Sequence, residues 1–381
     1  MNSSFSIEHA FILLIFLLMS YTISRGLIPI VIKLVHKFDL MDIPDHRKQH
    51  KQPTPSMGGL AIIASMLIGF ILCLFFMDNV EWLFIIVSIF SFSLMGFVDD
   101  WKDLNAKLKL LVQIGLSISA YFLGFKLDYG FGLFGIYEIA APISFILTVG
   151  IYILLINAYN LIDGIDELAG GLLSINAIIF VVVFFELEQY AYATLSVITF
   201  GAVRGFLKFN AHPAKIFMGD SGSLPLGMLM ALFTFKTLQF IKMDSGVHAS
   251  VDWIFPAVVA LNSIPLFDTL RVFTIRILKG RSPFSADRIH LHHLFLKNKL
   301  GHKKSAQFIH LSHAVIIAVV IFFSPSMYLW VSVLVICGLA VVAFEINTLF
   351  RIRNQSNEKK RLIKEEEQFI KSNRLLITIK K

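Results

Sequence analysis

Tyr152-Ile153-Leu154-Leu155-Ile156-Asn157-Ala158-Tyr159-Asn160-Leu161-Ile162-Asp163-Gly164-Ile165-Asp166-Glu167-Leu168-Ala169-Gly170-Gly171 is the stretch on which the reading of this chain turns. It starts inside one long apolar run and ends where the next begins. Asn157, Asn160, Asp163 and Asp166 recur at every third residue. Neighbours at that spacing can touch on a helix, but each step of three falls about 60° short of a full turn. Over four positions the polar stripe swings half-way round. An unbroken helix would therefore press part of it into lipid, where ionisable groups are costly. The helix is expected to break near Gly164 and turn its polar groups into a cleft.

Outward from this stretch, apolar runs recur along all 381 residues, which are 56% hydrophobic with a mean hydropathy of +0.73. A bilayer core needs about 20 apolar residues per spanning helix. Such runs lie near 8–30, 57–77, 82–98, 109–125, 138–157, 169–186, 190–206, 221–241, 252–271, 308–324 and 326–349. The expected architecture is an all-α integral membrane protein of about eleven transmembrane helices. The first run is read as a retained helix, because Met1 to Ala10 carries no Lys or Arg and no small-residue cleavage site follows Leu18. Cys73 and Cys337 both lie inside apolar runs, so neither a disulfide nor a zinc site is expected from them.

Lys and Arg set the expected orientation. Segments 31–56, 99–110, 204–221, 271–306 and 350–381 hold 30 of the 34 such residues. The alternate connections carry acidic residues such as Asp78, Asp128, Glu186 and Asp252. The N-terminus is thus expected outside and the C-terminus in the cytosol. The net charge of +8 fits a basic inner surface facing anionic headgroups or an anionic substrate, and no aromatic-basic pattern points to nucleic acid. One membrane domain, residues 1–350, and a charged cytosolic tail, 351–381, account for the chain.

The unusual residues all fall on the expected inner face. The first inner loop holds Arg47, Lys48 and His50, then Pro53-Thr54-Pro55 and Gly58-Gly59, which suit a tight re-entry. Asp99, Asp100 and Asp103 close the third run. Asp99 and Asp103 share a helix face, where a divalent cation or a phosphate complex would relieve their repulsion. Lys102, Lys107 and Lys109 follow; they could equally be solvent partners of a fraying helix end. Lys215-Ile216-Phe217-Met218-Gly219-Asp220-Ser221-Gly222-Ser223 leads into the eighth run, as a phosphate or metal site or as an ordinary helix cap. The longest loop carries Asp287-Arg288-Ile289-His290-Leu291-His292-His293. Its basic surroundings favour an anion over a metal cation. Asp268 and Arg271, three apart, read as a structural ion pair.

Taken in order, these motifs resemble the polyprenyl-phosphate N-acetylhexosamine-1-phosphate transferases of glycosyltransferase family 4, the WecA/TagO/MraY group. The His-x-His-His form is similar to the WecA/TagO branch. The resemblance covers residues 42 to 293, with one departure: Glu167 stands where the family usually has Gly. It implies transfer of N-acetylhexosamine-1-phosphate, with GlcNAc foremost, from the UDP-sugar to undecaprenyl phosphate. UMP is released and a lipid-linked envelope polymer such as O-antigen or teichoic acid is begun. Mg²⁺ or Mn²⁺ is the implied cofactor, the inner (plasma) membrane the implied location, and the family leaves room for a homodimer.

The resemblance also implies roles. Asp163 and Asp220 would hold the metal, with Asn160 beside them on the diphosphate. Asp99 or Asp100 would receive the proton of the lipid phosphate, with Lys109 and Lys48 holding its charge. Arg288, His290, His292 and His293 would grip the UDP-sugar, and Asp103 and Asp166 would complete the substrate site. An ion-coupled transporter is the rival reading, but it calls for ionisable groups near the bilayer midplane and for inverted repeats, which the sequence does not show. The CDP-alcohol phosphatidyltransferases need an Asp-Gly-x-x-Ala-Arg run that is absent here.

Overall fold

The computed structural model describes residues 7–42, 53–74, 80–133, 135–244, 253–282, 289–297 and 300–322. Lys48, Arg288, the apolar run 326–349 and the tail 351–381 lie outside the described residues.

The chain opens with α1 (Ile7–Lys37) and a two-residue ribbon, β1 (Met41–Asp42) antiparallel to β2 (Thr54–Pro55). Then come α2 (Gly59–Leu74), α3 (Val80–Lys102) and α4 (Ala106–Phe122). A second antiparallel ribbon follows, β3 (Tyr129–Leu133) with β4 (Ile136–Glu138). Next are α5 (Ala141–Leu161), α6 (Leu168–Glu186), α7 (Tyr190–Asn210) and α8 (Asp220–Asp244). The described part finishes with α9 (Ile254–Leu261), α10 (Ser263–Leu278), α11 (Leu291–Lys297) and α12 (His302–Phe322). The all-helical expectation thus gains two small ribbons, both in connections between helices.

Among the described residues, six helices are long and apolar enough to cross a bilayer: α1, α3, α5, α6, α8 and α12. The pair α9 and α10 would make a seventh span, bent by 49° at its break. Two of the expected runs form shorter helices, α2 with 16 residues and α4 with 17. The hydropathy of α7 is diluted by residues such as Thr194, Ser196, Thr199 and Arg204.

Helix α8 is the axis of the bundle. It is apolar on every side, as a fully enclosed helix must be, and the run Leu226 to Phe233 is buried throughout. Helices α2, α3, α5, α6 and α9 pack around it, while α1 lies outside against α7 and α2. Close approach depends on small residues, as between helices in lipid generally. A Cβ on Gly59 would strike the backbone of Gly222, and one on Gly96 would strike the backbone of Asp220. The entry to α8 is pinned by a short backbone ladder. Phe217 N donates to Pro55 O, Gly58 N to Phe217 O and Gly59 N to Met218 O, each at 2.8 Å.

The break between α9 and α10 frees backbone groups that lipid cannot satisfy. Asn176 Nδ2 takes the Leu261 carbonyl at 2.9 Å, and Asn262 Nδ2 bonds Val258 O at 3.0 Å and Thr234 Oγ1 at 2.9 Å. Tyr159 donates its hydroxyl to Asn262 Oδ1 at 3.1 Å, and His313 Nε2 lies 2.7 Å from Asn176 Oδ1. This polar knot ties α5, α6, α8 and α12 to the bend.

Candidate active site

All the motif residues in the described part gather at one end of the bundle, where α3, α5 and α7 finish and α4, α6, α8 and α12 begin. The helix started at Ala141 stops at Leu161, and α6 starts only at Leu168. The break expected near Gly164 is present. It turns Asp163 and Asp166 out of helical register.

The centre is assembled around the first residue of α8. Asp220 Oδ1 accepts from Asn160 Nδ2 at 2.8 Å, and the same Asn160 nitrogen reaches Ser223 Oγ at 2.9 Å. Lys109 Nζ lies 3.3 Å from Asp220 Oδ2 and also pairs with the Asp99 carboxylate. The other Asp99 oxygen is held by Leu104 N at 2.7 Å. Asp100 does something different. Its two oxygens accept from Asp220 N at 2.9 Å and Ser221 N at 3.1 Å, so a carboxylate from α3 caps α8 across the bundle. A negative charge at a helix N-terminus satisfies free N–H groups and complements the macrodipole. Gly219, with φ +73°, makes room for it, since a Cβ there would press on the Asp100 carboxylate.

Asp163 completes the acidic group. Burial, and then the charges of Asp220 and Asp100, push its carboxyl up to about 7. Four carboxylates line one cavity, with a single ammonium, that of Lys109, between Asp99 and Asp220, so the centre carries an excess of negative charge. Oxygen-rich sets of this kind suit Mg²⁺ or Mn²⁺, and Asp163 and Asp220, which line the same cavity, could hold such an ion.

Two cavities meet here. One, of about 890 Å³, is lined by Asp99, Asp103, Asp163, Asp166, Asp220 and His302. The second, of about 730 Å³, is more apolar: Leu110, Leu161, Leu224 and Phe273 line it, with Lys107 and Arg276 among its polar groups. Asn160, Gly164, Asp220 and His293 border both. Asp103 is exposed, in a left-handed turn at φ +51° just past α3.

The histidine loop is more deeply set than its basic sequence suggests. His290 Nδ1 lies 2.9 Å from Asp268 Oδ2, and Leu291 N donates to Asp268 Oδ1 at 2.8 Å. Arg271 bonds Asp268 Oδ1 at 3.3 Å and Ile289 O at 2.5 Å. The expected ion pair of Asp268 with Arg271 exists, and it also anchors this loop. His292 is 1% exposed, and a Cβ on Gly164 would collide with its ring. Burial, then the charge of His293, pushes its imidazole down to about 3, so it is neutral. His293 lies beside it, with ring centroids 4.2 Å apart and the rings tilted by 56°, and faces both cavities.

Asp166 is bound by groups that sequence reasoning did not single out as site residues. Its Oδ2 lies 2.6 Å from His212 Nδ1 and 3.2 Å from Ala214 N. Its Oδ1 lies 3.4 Å from His302 Nδ1. Burial opposes its charge, but the His302 and His212 contacts outweigh this and hold the carboxyl below its usual range. Gln113 was missed as well. It exchanges amide bonds with Asn157, at 2.8 Å and 3.4 Å, on the wall of the second cavity. Glu167 sits in the left-handed region at φ +67°, where glycine is at ease and other residues are strained. Its carboxylate accepts from His212 N at 2.8 Å and its own N donates to Asn210 Oδ1 at 3.0 Å.

The sequence matches known proteins. Residues 82–237 match the glycosyl transferase family 4 profile. A Bacillus subtilis (strain 168) protein named "Probable undecaprenyl-phosphate N-acetylglucosaminyl 1-phosphate transferase" is 34% identical over 292 residues, 74% of this chain and 77% of its own length. The decaprenyl-phosphate N-acetylglucosaminephosphotransferase of Mycolicibacterium smegmatis is 32% identical, covering 83% of this chain and 82% of its own. The undecaprenyl-phosphate alpha-N-acetylglucosaminyl 1-phosphate transferase of Escherichia coli (strain K12) is 29% identical, covering 70% and 71%. The chain belongs to glycosyl transferase family 4, in the company of these polyprenyl-phosphate N-acetylglucosamine-1-phosphate transferases.

Proposed function

We propose that this protein transfers GlcNAc-1-phosphate from UDP-GlcNAc to undecaprenyl phosphate, releasing UMP, with its site on the cytosolic face of the plasma membrane. One observation carries the reading: an acidic centre bridged by Lys109 stands where a polar cavity meets an apolar one. A nucleotide-sugar diphosphate suits the first cavity and a lipid phosphate the second. An N-terminus outside and a tail inside are supported by the sequence, where 30 of the 34 Lys and Arg fall in alternate connections and in the tail.

In the proposed reaction an oxygen of the lipid phosphate attacks the sugar-bearing phosphorus of the donor. The pyrophosphate bond breaks and UMP leaves. Phosphoryl transfer asks mainly for positioning and charge stabilisation. Mg²⁺ or Mn²⁺ held by Asp163 and Asp220 would neutralise diphosphate charge. Asn160 orients Asp220, and Lys109 offers its ammonium where the two anions must approach. Asp100 is engaged as the cap of α8, whereas Asp99 pairs with the Lys109 ammonium where the two anions must approach, so Asp99 is assigned the acceptor's proton. His293 and Asp166 stand on the donor side.

The test incubates membranes containing the protein with undecaprenyl phosphate, Mg²⁺ and a panel of UDP-sugars, following UMP. Release is expected with UDP-GlcNAc and only when the lipid phosphate is present. No release with any sugar would defeat the proposal.

A further inference from the structure

We propose that Asp166, His212 and His302 form a second metal site, for Zn²⁺ or a similar first-row transition ion, at the edge of the donor cavity. It goes beyond the transferase reading and does not depend on it. The three residues come from separate parts of the chain: the α5–α6 break, the α7–α8 connection and the first residue of α12. One ligand atom from each lies within 4.8 Å of the others.

Hydrogen bonding within the cluster leaves a remainder. Asp166 Oδ2 is shared by His212 Nδ1 and Ala214 N. His302 Nδ1 faces Oδ1 at 3.4 Å, yet it is shut off from solvent and makes no hydrogen bond. Buried polar nitrogens normally have a partner, and a cation between this nitrogen and Oδ1 would supply one. The side chains grade outward, from Asp166 at 8% exposed through His302 at 19% to His212 at 42%, so an ion can enter from solvent past His212.

The donor set distinguishes this site from the acidic centre. Two imidazoles with one carboxylate suit Zn²⁺ and its neighbours, whereas carboxylate, amide and phosphate oxygens suit Mg²⁺. Around the cluster, Ala214 N holds Asp166 and Glu167 Oε1 holds His212 N, the outer contacts that fix ligand orientation. Three protein ligands leave a fourth position open to the cavity. A metal there would clip together three segments that border the cavity.

The experiment uses the full-length protein without a histidine tag, purified in detergent, stripped with a chelator, then equilibrated with zinc chloride in excess Mg²⁺. Bound zinc is counted by mass spectrometry and the melting temperature is recorded with and without zinc. The wild-type protein is expected to retain a single tightly bound zinc and to melt several degrees higher with it, since a ligand of the folded state alone stabilises that state. His302→Gln and His212→Gln, which roughly preserve side-chain volume, should lose both the zinc and the shift while melting normally without metal. Asp220→Asn should keep both. Zinc retained by His302→Gln, zinc lost in Asp220→Asn, or none bound by the wild-type protein would each overturn the proposal. Should a Gln variant fail to fold, Cu²⁺ bound to the wild-type protein decides instead: its electron spin resonance must show coupling to two imidazole nitrogens, and oxygen-only coupling refutes the site.

Discussion

Helices α3 and α8 lie side by side, and each end of the pair carries charge, arranged in opposite ways. At the far end Glu81 Oε2 meets Lys236 Nζ at 2.7 Å and accepts the Tyr192 hydroxyl at 2.8 Å. Lys236 also donates to Gln239 Oε1 at 2.9 Å, and its ammonium stands 4.8 Å from the centre of the Phe240 ring. Here one acid meets one base, with a neutral donor in Tyr192 and a neutral acceptor in Gln239. At the motif end Asp99 and Asp220 share the one ammonium of Lys109, Asp100 and Asp163 line the same cavity, and the group opens onto two cavities. A balanced pair holds helices together; an unbalanced one needs something from outside. The contrast locates the chemistry better than burial does, because both ends are largely enclosed.

The largest effect should come from the unbalanced end. In the proposed reaction Asp220 helps hold the ion that neutralises the diphosphate; Asp220→Asn keeps the shape and the Asn160 neighbour but removes that negative charge, so UMP release should fall by about 10²–10³-fold, the usual cost of one electrostatic contact to the transition state. Melting of the variant should be little changed, which a thermal scan in detergent checks. Lys236→Met should do the reverse. It leaves Glu81 without its ammonium partner in a mostly enclosed place, a loss of about 3 kcal/mol in stability, read as a lower melting temperature, while activity per folded molecule stays near wild type. The smallest effect concerns Glu167. Glycine relieves a left-handed backbone worth about 1 kcal/mol but forfeits the bond from His212 N, so Glu167→Gly should move stability by less than about 1 kcal/mol. A larger loss would show that the carboxylate has a further partner.

The parts of this arrangement legible in sequence were those encoded locally. The third-residue spacing of Asn157, Asn160, Asp163 and Asp166 contradicts a continuous lipid-facing helix, and the helix does break there. Asp220 after Gly219 marks a helix start, and α8 begins on it. What escaped were contacts across long separations. Asp100 reads as one more carboxylate in a row, and only the fold reveals that it caps α8. Asp268 shows its partner Arg271 at three residues' distance, but not His290. His212 and His302 are ordinary histidines in basic loops until the bundle brings Asp166 between them. The strain at Glu167 is equally silent, for nothing in its neighbours specifies φ +67°. The number of spans is a matter of degree, because α2, α4 and α7 are apolar yet shorter or more polar than a clear crossing requires.

The most direct test compares UMP release, per folded molecule, by wild type, Asp220→Asn and Lys236→Met in the same membranes with UDP-GlcNAc, undecaprenyl phosphate and Mg²⁺. The account predicts near-complete loss in Asp220→Asn and near-normal release in Lys236→Met. Full activity in Asp220→Asn, or an equal loss in both variants, would contradict it.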